Sequence, residues 1–313
     1  MNDQAAARPA LNGQAAAGPV RRARWPLLLA TAALGGVAAV AVAGGWLSRP
    51  APASIGPPPA DWRAVTVRLA TADGSAVVGW FLRGQPGRGA VLLLHGVRAD
   101  RRQMAARARF LAAAGHAVLL IDLPAHGESA GERITFGARE AAGVHAALDH
   151  LRRELPGERI GVIGVSLGAA SFVLSGAGPT VHAAVLESMY PTIDDAVANR
   201  LAMRFGAPGR WLSPLLLWQL PLRLDVSAGR LRPLAAMPTL GVPVLVASGT
   251  HDLQTPWTET EQLFAAAAAP KELWAVEGAA HVDLCEHSPA AYQQRVGAFL
   301  AAHLAARSTA PAP

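Results

Sequence analysis

The residues of this chain best suited to chemistry are a serine, an aspartate and a histidine, each met where an apolar run ends. Gly164-Val165-Ser166-Leu167-Gly168 has the form G-x-S-x-G, follows the run Ile160–Val165 and opens a stretch through Ala169, Ala170 and Phe172. On a sharp strand-to-helix turn the serine hydroxyl stands above the sheet, and the flanking residues must be tiny, which accounts for Gly164 and Gly168. The start of a helix also favours negative charge. Ser248-Gly249-Thr250-His251-Asp252 follows a second run, and Gly278-Ala279-Ala280-His281 follows a third. Such a set performs acyl transfer: Ser166 attacks, His281 takes its proton as general base, and Asp252 orients the imidazole. His95-Gly96-Val97 ends the earlier run Ala90–Leu94. There the N–H of Val97, in a loop carrying Gly96, would join the N–H of Leu167 as an oxyanion hole.

Other reactive side chains take blander roles. His95 and His126 read as loop-ordering groups, His251 as pointing away from the site, and His287 as a surface residue. Cys285 is the single cysteine, so no internal disulfide and no zinc-type cluster can be assembled from cysteines; it reads as a packed apolar group. Arg98, Arg101 and Arg102 read as the solvated start of a helix, with contact to an anionic headgroup as the alternative. With 28 basic and 22 acidic residues the net charge is +6, spread as arginine with no basic stripe interleaved with aromatics. Nucleic acid is therefore not an expected partner, and no metal is called for.

These groups need elements to hold them. Short apolar runs read as strands at Trp62–Ala70, Ala76–Arg83, Ala90–Leu94, Ala117–Ile121, Ile160–Val165, Ala183–Glu187, Val244–Ser248 and Glu272–Val276. The first two are joined by Thr71-Ala72-Asp73-Gly74, a hairpin signal. The middle runs are apolar throughout, as in strands covered on both faces. Helical stretches at 101–114, 135–154, 167–178, 258–268 and 289–306 alternate with them, which predicts an α/β fold with a mostly parallel sheet. Residues 190–238 break the rhythm and include the run Trp211–Trp218; a small helical cap over the site is the expectation.

Residues 1–24 are expected to be a disordered cytoplasmic leader, ending in Arg21, Arg22 and Arg24. The uncharged stretch 25–48 is long enough to span a bilayer, and the preceding arginines would stay inside. A single-pass inner-membrane anchor with the catalytic domain in the periplasm follows. The alternative is a cleaved signal peptide with Ala41-Val42-Ala43 as its A-x-A site. Residues 49–60, with five prolines, read as a stiff linker. The folded domain is expected over 61–306, and 307–313 as a disordered tail.

The order Ser166, Asp252, His281, with Asp122-Leu123-Pro124-Ala125-His126-Gly127-Glu128-Ser129 and the Pro-Lys-Glu-Leu run at 270–273, resembles the α/β-hydrolase superfamily from Trp62 to Leu304. It is similar to the branch of lipases, thioesterases and aminopeptidase-like enzymes. That resemblance implies an eight-stranded sheet with helices on both faces, a Ser-His-Asp triad, no cofactor, and hydrolysis of esters or thioesters. It also makes Glu187 the alternative acid, because that position serves in some relatives. Ala169 departs from the pattern, where many members carry a second glycine. The expected substrate is a small or lipidic acyl compound, handled by a monomer. A peptidase of the same fold would need a carboxylate cluster in the cap, for which Asp194, Asp195 and Asp225 are the candidates. A non-catalytic membrane-anchored binding protein is the alternative from another class.

Overall fold

The computed structural model describes residues 25–305, so the leader 1–24 and the tail 307–313 lie outside the described residues. The chain divides into two units at residue 40. The first unit contains most of α1 (Trp25–Leu47), a helix without a charged residue. Its segment Leu28–Leu47 is, by length and composition, long and apolar enough to cross a membrane.

The second unit is built on one eight-stranded sheet. Its strands are β1 (Ala64–Ala70), β2 (Ala76–Leu82), β3 (Ala90–Leu94), β4 (Ala117–Ile121), β5 (Ile160–Val165), β6 (Ala183–Glu187), β7 (Val244–Gly249) and β8 (Lys271–Val276). They lie in the order β8-β7-β6-β5-β3-β4-β2-β1. Only the β1–β2 and β2–β4 pairs are antiparallel. The five strands from β3 to β7 are buried at every residue, whereas Thr66 and Arg68 on β1 and Lys271 and Glu272 on β8 mark the two partly solvated edges.

Alternate residues of the central strands feed two separate cores, as the period of two in a strand requires. Leu92, Leu94, Leu119, Ile121, Val162 and Leu186 face one layer of helices. Val91, Leu93, Val118, Leu120, Ile163 and Val185 face the other, with the C-terminal helix residues Tyr292, Val296, Phe299 and Leu300. The chain between β6 and β7 is helical, chiefly α5 (Ile193–Phe205), followed by the short turns Ser213–Leu217 and Leu220–Leu224.

Three local expectations need correction. The helix expected from 135 begins at Glu140, because Phe136 and Gly137 take positive φ angles. The Glu140 carboxylate then accepts the N–H groups of Thr135 at 2.7 Å and Gly137 at 2.9 Å, fixing this turn ahead of the helix. The Pro-rich stretch 49–60 is extended but does not run free. Ala51 and Ala53 donate to Ala125 and Gly127, and Ile55 and Gly56 donate to the Glu128 carboxylate. Arg101 is not solvated: it is fully buried, paired with Asp122 and Glu128, and its guanidinium lies 4.7 Å from the Trp80 ring centroid. A buried guanidinium is tolerated only with such partners.

Candidate active site

Strand β5 delivers Ser166 to a turn so tight that its backbone sits at φ 48° and ψ −106°, outside the regions an L-residue prefers. Helix α4 (Leu167–Leu174) starts immediately after it. A Cβ on Gly164 would come within 2.6 Å of the Ala169 Cα, and one on Gly168 would strike the Leu94 carbonyl. Both glycines are therefore demanded by close backbone approach. The Ser166 N–H donates to the Glu187 carbonyl at 2.8 Å, tying the elbow to β6.

Asp252 lies just past β7 and is 2% exposed. One carboxylate oxygen accepts the N–H of Gln254 at 2.8 Å and of Thr255 at 2.9 Å. The other accepts the Thr255 hydroxyl and His281 Nδ1, both at 2.7 Å. Burial alone would raise the pKa of this carboxyl; the His281 ring and the Thr255 donors outweigh it and hold Asp252 below the usual carboxylate range. With Nδ1 directed at the carboxylate, the second ring nitrogen of His281, Nε2, faces away from Asp252. Among the described residues the Ser166 hydroxyl makes no hydrogen bond, to His281 or to any other group.

The carboxylate paired with His281 is thus that of Asp252. Glu187 is held elsewhere: Arg107 binds both its oxygens, at 2.6 and 3.2 Å, and the Tyr292 hydroxyl donates to it. Arg107 also pairs with Asp283 at 2.6 Å. Burial opposes its charge, but Glu187, Tyr292 and Asp283 together hold the guanidinium well above the usual arginine range. This hub spans residues far apart in sequence, and nothing local in the sequence signals it.

The N–H groups of Val97 and Leu167 have no hydrogen-bond partner among the described residues, and both residues line a cavity of about 450 Å³ that also contains Ser166. His95 is fully buried, with Nδ1 on the Gly96 carbonyl and Nε2 accepting the Leu123 N–H at 2.9 Å. Burial, with a contribution from His126, pulls its pKa to about 3, so it is neutral and orders the loop. His126 Nδ1 likewise meets the Pro124 carbonyl. His251 and His287 are exposed, and burial pushes the Cys285 thiol up to about 11, far from a reactive thiolate.

The rest of the cavity wall contains residues that reading by motif did not reach. The last turn of α1 contributes Trp46 and Leu47, and α5 contributes Ile193, Val197, Arg200, Leu201 and Arg204. The α1 end is seated there: Arg223 donates to the Ala41 carbonyl at 2.9 Å, and Arg98 donates to the carbonyls of Trp46 and Leu47. Asp194, Asp195 and Asp225 do not line this cavity. Beneath α5, Glu259 accepts from Asn199 at 2.6 Å while its second oxygen is buried without a partner. Burial, eased by Asn199, raises its pKa to about 7. A wider depression of about 840 Å³ beside Arg88, Phe110 and Gln293 contains none of the three catalytic candidates.

The outer face of the same insertion is apolar. Trp211 is 82% and Leu222 79% exposed, with Phe205, Leu215 and Trp218 also open to solvent.

A family model described as the alpha/beta hydrolase family matches residues 91–295. Among curated proteins, the Mycobacterium tuberculosis protein Rv2307c is 32% identical over 221 residues, covering 69% of this chain and 72% of its own length. The Bacillus subtilis protein YqkD is 24% identical over 236 residues, covering 74% and 77% respectively. Among solved structures, an esterase of Pyrococcus furiosus superposes with a TM-score of 0.69 at 25% identity, over 82% of this chain and 98% of that one. A thermophilic esterase of Thermogutta terrifontis gives 0.56 at 19% identity, over 75% and 97%.

Proposed function

This chain belongs to the alpha/beta hydrolase family, and we propose that it is a serine esterase using Ser166, His281 and Asp252 on a hydrophobic acyl ester. The observation that carries the reading is the 2.7 Å pairing of His281 Nδ1 with a buried carboxylate, in a chain whose Gly164–Gly168 turn sets Ser166 on a strained elbow at the cavity. The likeness to the Pyrococcus furiosus esterase supports the same reaction class.

In this mechanism His281 Nε2 takes the Ser166 proton as the oxygen attacks the ester carbonyl. Asp252 keeps the ring in the Nδ1–H tautomer and stabilises the imidazolium that forms. The carbonyl oxygen turns into the N–H groups of Val97 and Leu167, whose donation strengthens as charge develops. His281 then protonates the departing alcohol, and a water activated by the same histidine cleaves the acyl-enzyme. A thioester would follow the same course.

The apolar cavity wall and the exposed apolar face over 205–222 support a lipidic acyl group. With α1 as a signal anchor, the domain works outside the cytoplasm at the inner-membrane surface; cleavage after Ala43 would release it in the same compartment. Trp46 and Leu47 stay attached to the domain in either case. A peptidase that removes N-terminal residues gains no support from the cap, which turns arginines rather than carboxylates toward the cavity.

A fluorophosphonate probe tests the reading on the full chain. The wild type is expected to be labelled and Ser166→Ala to be blank. Equal labelling of the two proteins would sink it.

A further inference from the structure

Three arginines, Arg98, Arg200 and Arg204, line the cavity that contains Ser166. Among the described residues none of them has a carboxylate partner. Their neighbours differ: Arg101 pairs with Asp122, Arg102 with Asp100, and Arg107 with Glu187 and Asp283. The three cavity arginines therefore lack the counter-ion that each of these three has within ion-pair distance.

Each of the first two has donors to spare. Arg98 uses only Nη2, on backbone carbonyls of Trp46 and Leu47, and Arg200 uses only Nη1, on the Ala196 carbonyl at 2.9 Å. A guanidinium has five N–H donors. Arg200 is half-buried on α5, and desolvation holds its guanidinium below the usual arginine range. A guanidinium in a partly dry wall is costly unless an anion joins it, and Asp252 and Glu259 act on Arg200 only from beyond ion-pair distance, Asp252 being paired with His281. Arg98 follows directly on Val97, the proposed oxyanion donor, so an anion on it would lie close to the reacting ester.

We propose that Arg98, Arg200 and Arg204 form an anion subsite of the Ser166 cavity, so that the substrate is an acyl ester carrying a phosphate or carboxylate group near the ester bond. The apolar wall takes the acyl chain and the arginines take the charged end. Phosphate and carboxylate both match the guanidinium fork. This inference rests on the esterase reading of Ser166.

The test uses the full chain in neutral detergent and three esters with the same acyl group: octanoylglycerol, octanoyl glycerol phosphate and octanoyl lactate. In the wild type, kcat/KM for at least one anionic ester is expected to exceed that for octanoylglycerol by about tenfold or more, the size of one charge-assisted hydrogen bond. The ratio should fall toward one in Arg200→Gln and in Arg204→Gln; Arg204 is exposed, so its variant is expected to fold. The larger of the two anionic ratios tells phosphate from carboxylate. Equal rates on neutral and anionic esters, or a ratio that survives both substitutions, overturns the subsite.

Binding to Ser166→Ala separates this failure from failure of the esterase reading. Octyl phosphate is expected to bind at least about tenfold tighter than octanol, and to lose that margin in Ser166→Ala/Arg200→Gln. No turnover of any ester beside retained octyl phosphate binding sinks the esterase but keeps the anion site. Inorganic phosphate binding as tightly as octyl phosphate would assign the arginines to a free anion and overturn the acyl-ester assignment.

Discussion

Replacing Asp252 by Asn leaves the side-chain shape almost unchanged and reverses two hydrogen bonds, those to His281 Nδ1 and to the Thr255 hydroxyl. The remaining oxygen would keep the N–H groups of Gln254 and Thr255, at 2.8 and 2.9 Å in the parent. The new NH₂ group would then occupy the place of the oxygen that faces His281 Nδ1 and the Thr255 hydroxyl. A donor there requires Nδ1 to accept, which moves the ring proton to Nε2, the atom that must take the proton of Ser166. The base is lost by tautomer, with its position kept. In serine proteases the equivalent change lowers kcat by about 10⁴, which at about 1.4 kcal/mol per decade is roughly 5 kcal/mol of transition-state stabilisation. The assay is kcat on p-nitrophenyl butyrate at neutral pH, with the melting temperature checking the fold. Asp252→Asn is expected to lose three to four decades. Glu187→Gln should instead act on stability, because it removes charge from a buried pair with Arg107; breaking such a pair costs about 3–5 kcal/mol. A folded Asp252→Asn within tenfold of wild type, beside a folded Glu187→Gln that is inactive, would refute the assignment of the acid.

Glu259 has its pKa raised from 4.5 to about 7 in the fold, so its contribution is complete below 4.5 and is lost as pH rises through 7. That loss is at most about 3 kcal/mol, and urea unfolding should show Glu259→Gln with a flatter profile between pH 5 and 8; parallel profiles would count against it. Gly168→Ala forces a methyl into the Leu94 carbonyl, and calorimetry should find the variant unfolded or melting well below the parent. A phosphatase reporter that works only in the periplasm should be active when fused after residue 60, and silence there would place the domain in the cytoplasm.

The sheet was legible because its central strands are buried on both faces and so read as unbroken apolar runs. Seven of the eight match to within a residue at each end, and the exception is the partly solvated edge strand, expected from Trp62 and found from Ala64. Ser166 was legible because its turn admits only glycine at 164 and 168. Arg101 was misread because its partners, Asp122 and Glu128, lie in another loop, and a charge looks solvated until its counter-ion is found. Trp46 and Leu47 were absorbed into an apolar helix, whose composition cannot tell a lipid-facing turn from one seated on a cavity. Arg200 and Arg204 carry no local signal, since only the placement of α5 brings them to the cavity of Ser166.

The Arg107 hub also sets an order of events during synthesis. Asp283, two residues past His281, is fixed by Arg107, which depends in turn on Glu187 and on Tyr292 of the last helix. The nucleophile elbow is complete long before Tyr292 has left the ribosome. A chain that still lacks Tyr292 therefore has the Ser166 turn but not the ties that fix the loop of His281. The placing of that loop beside Asp252 is coupled, through Asp283 and Arg107, to the docking of the final helix.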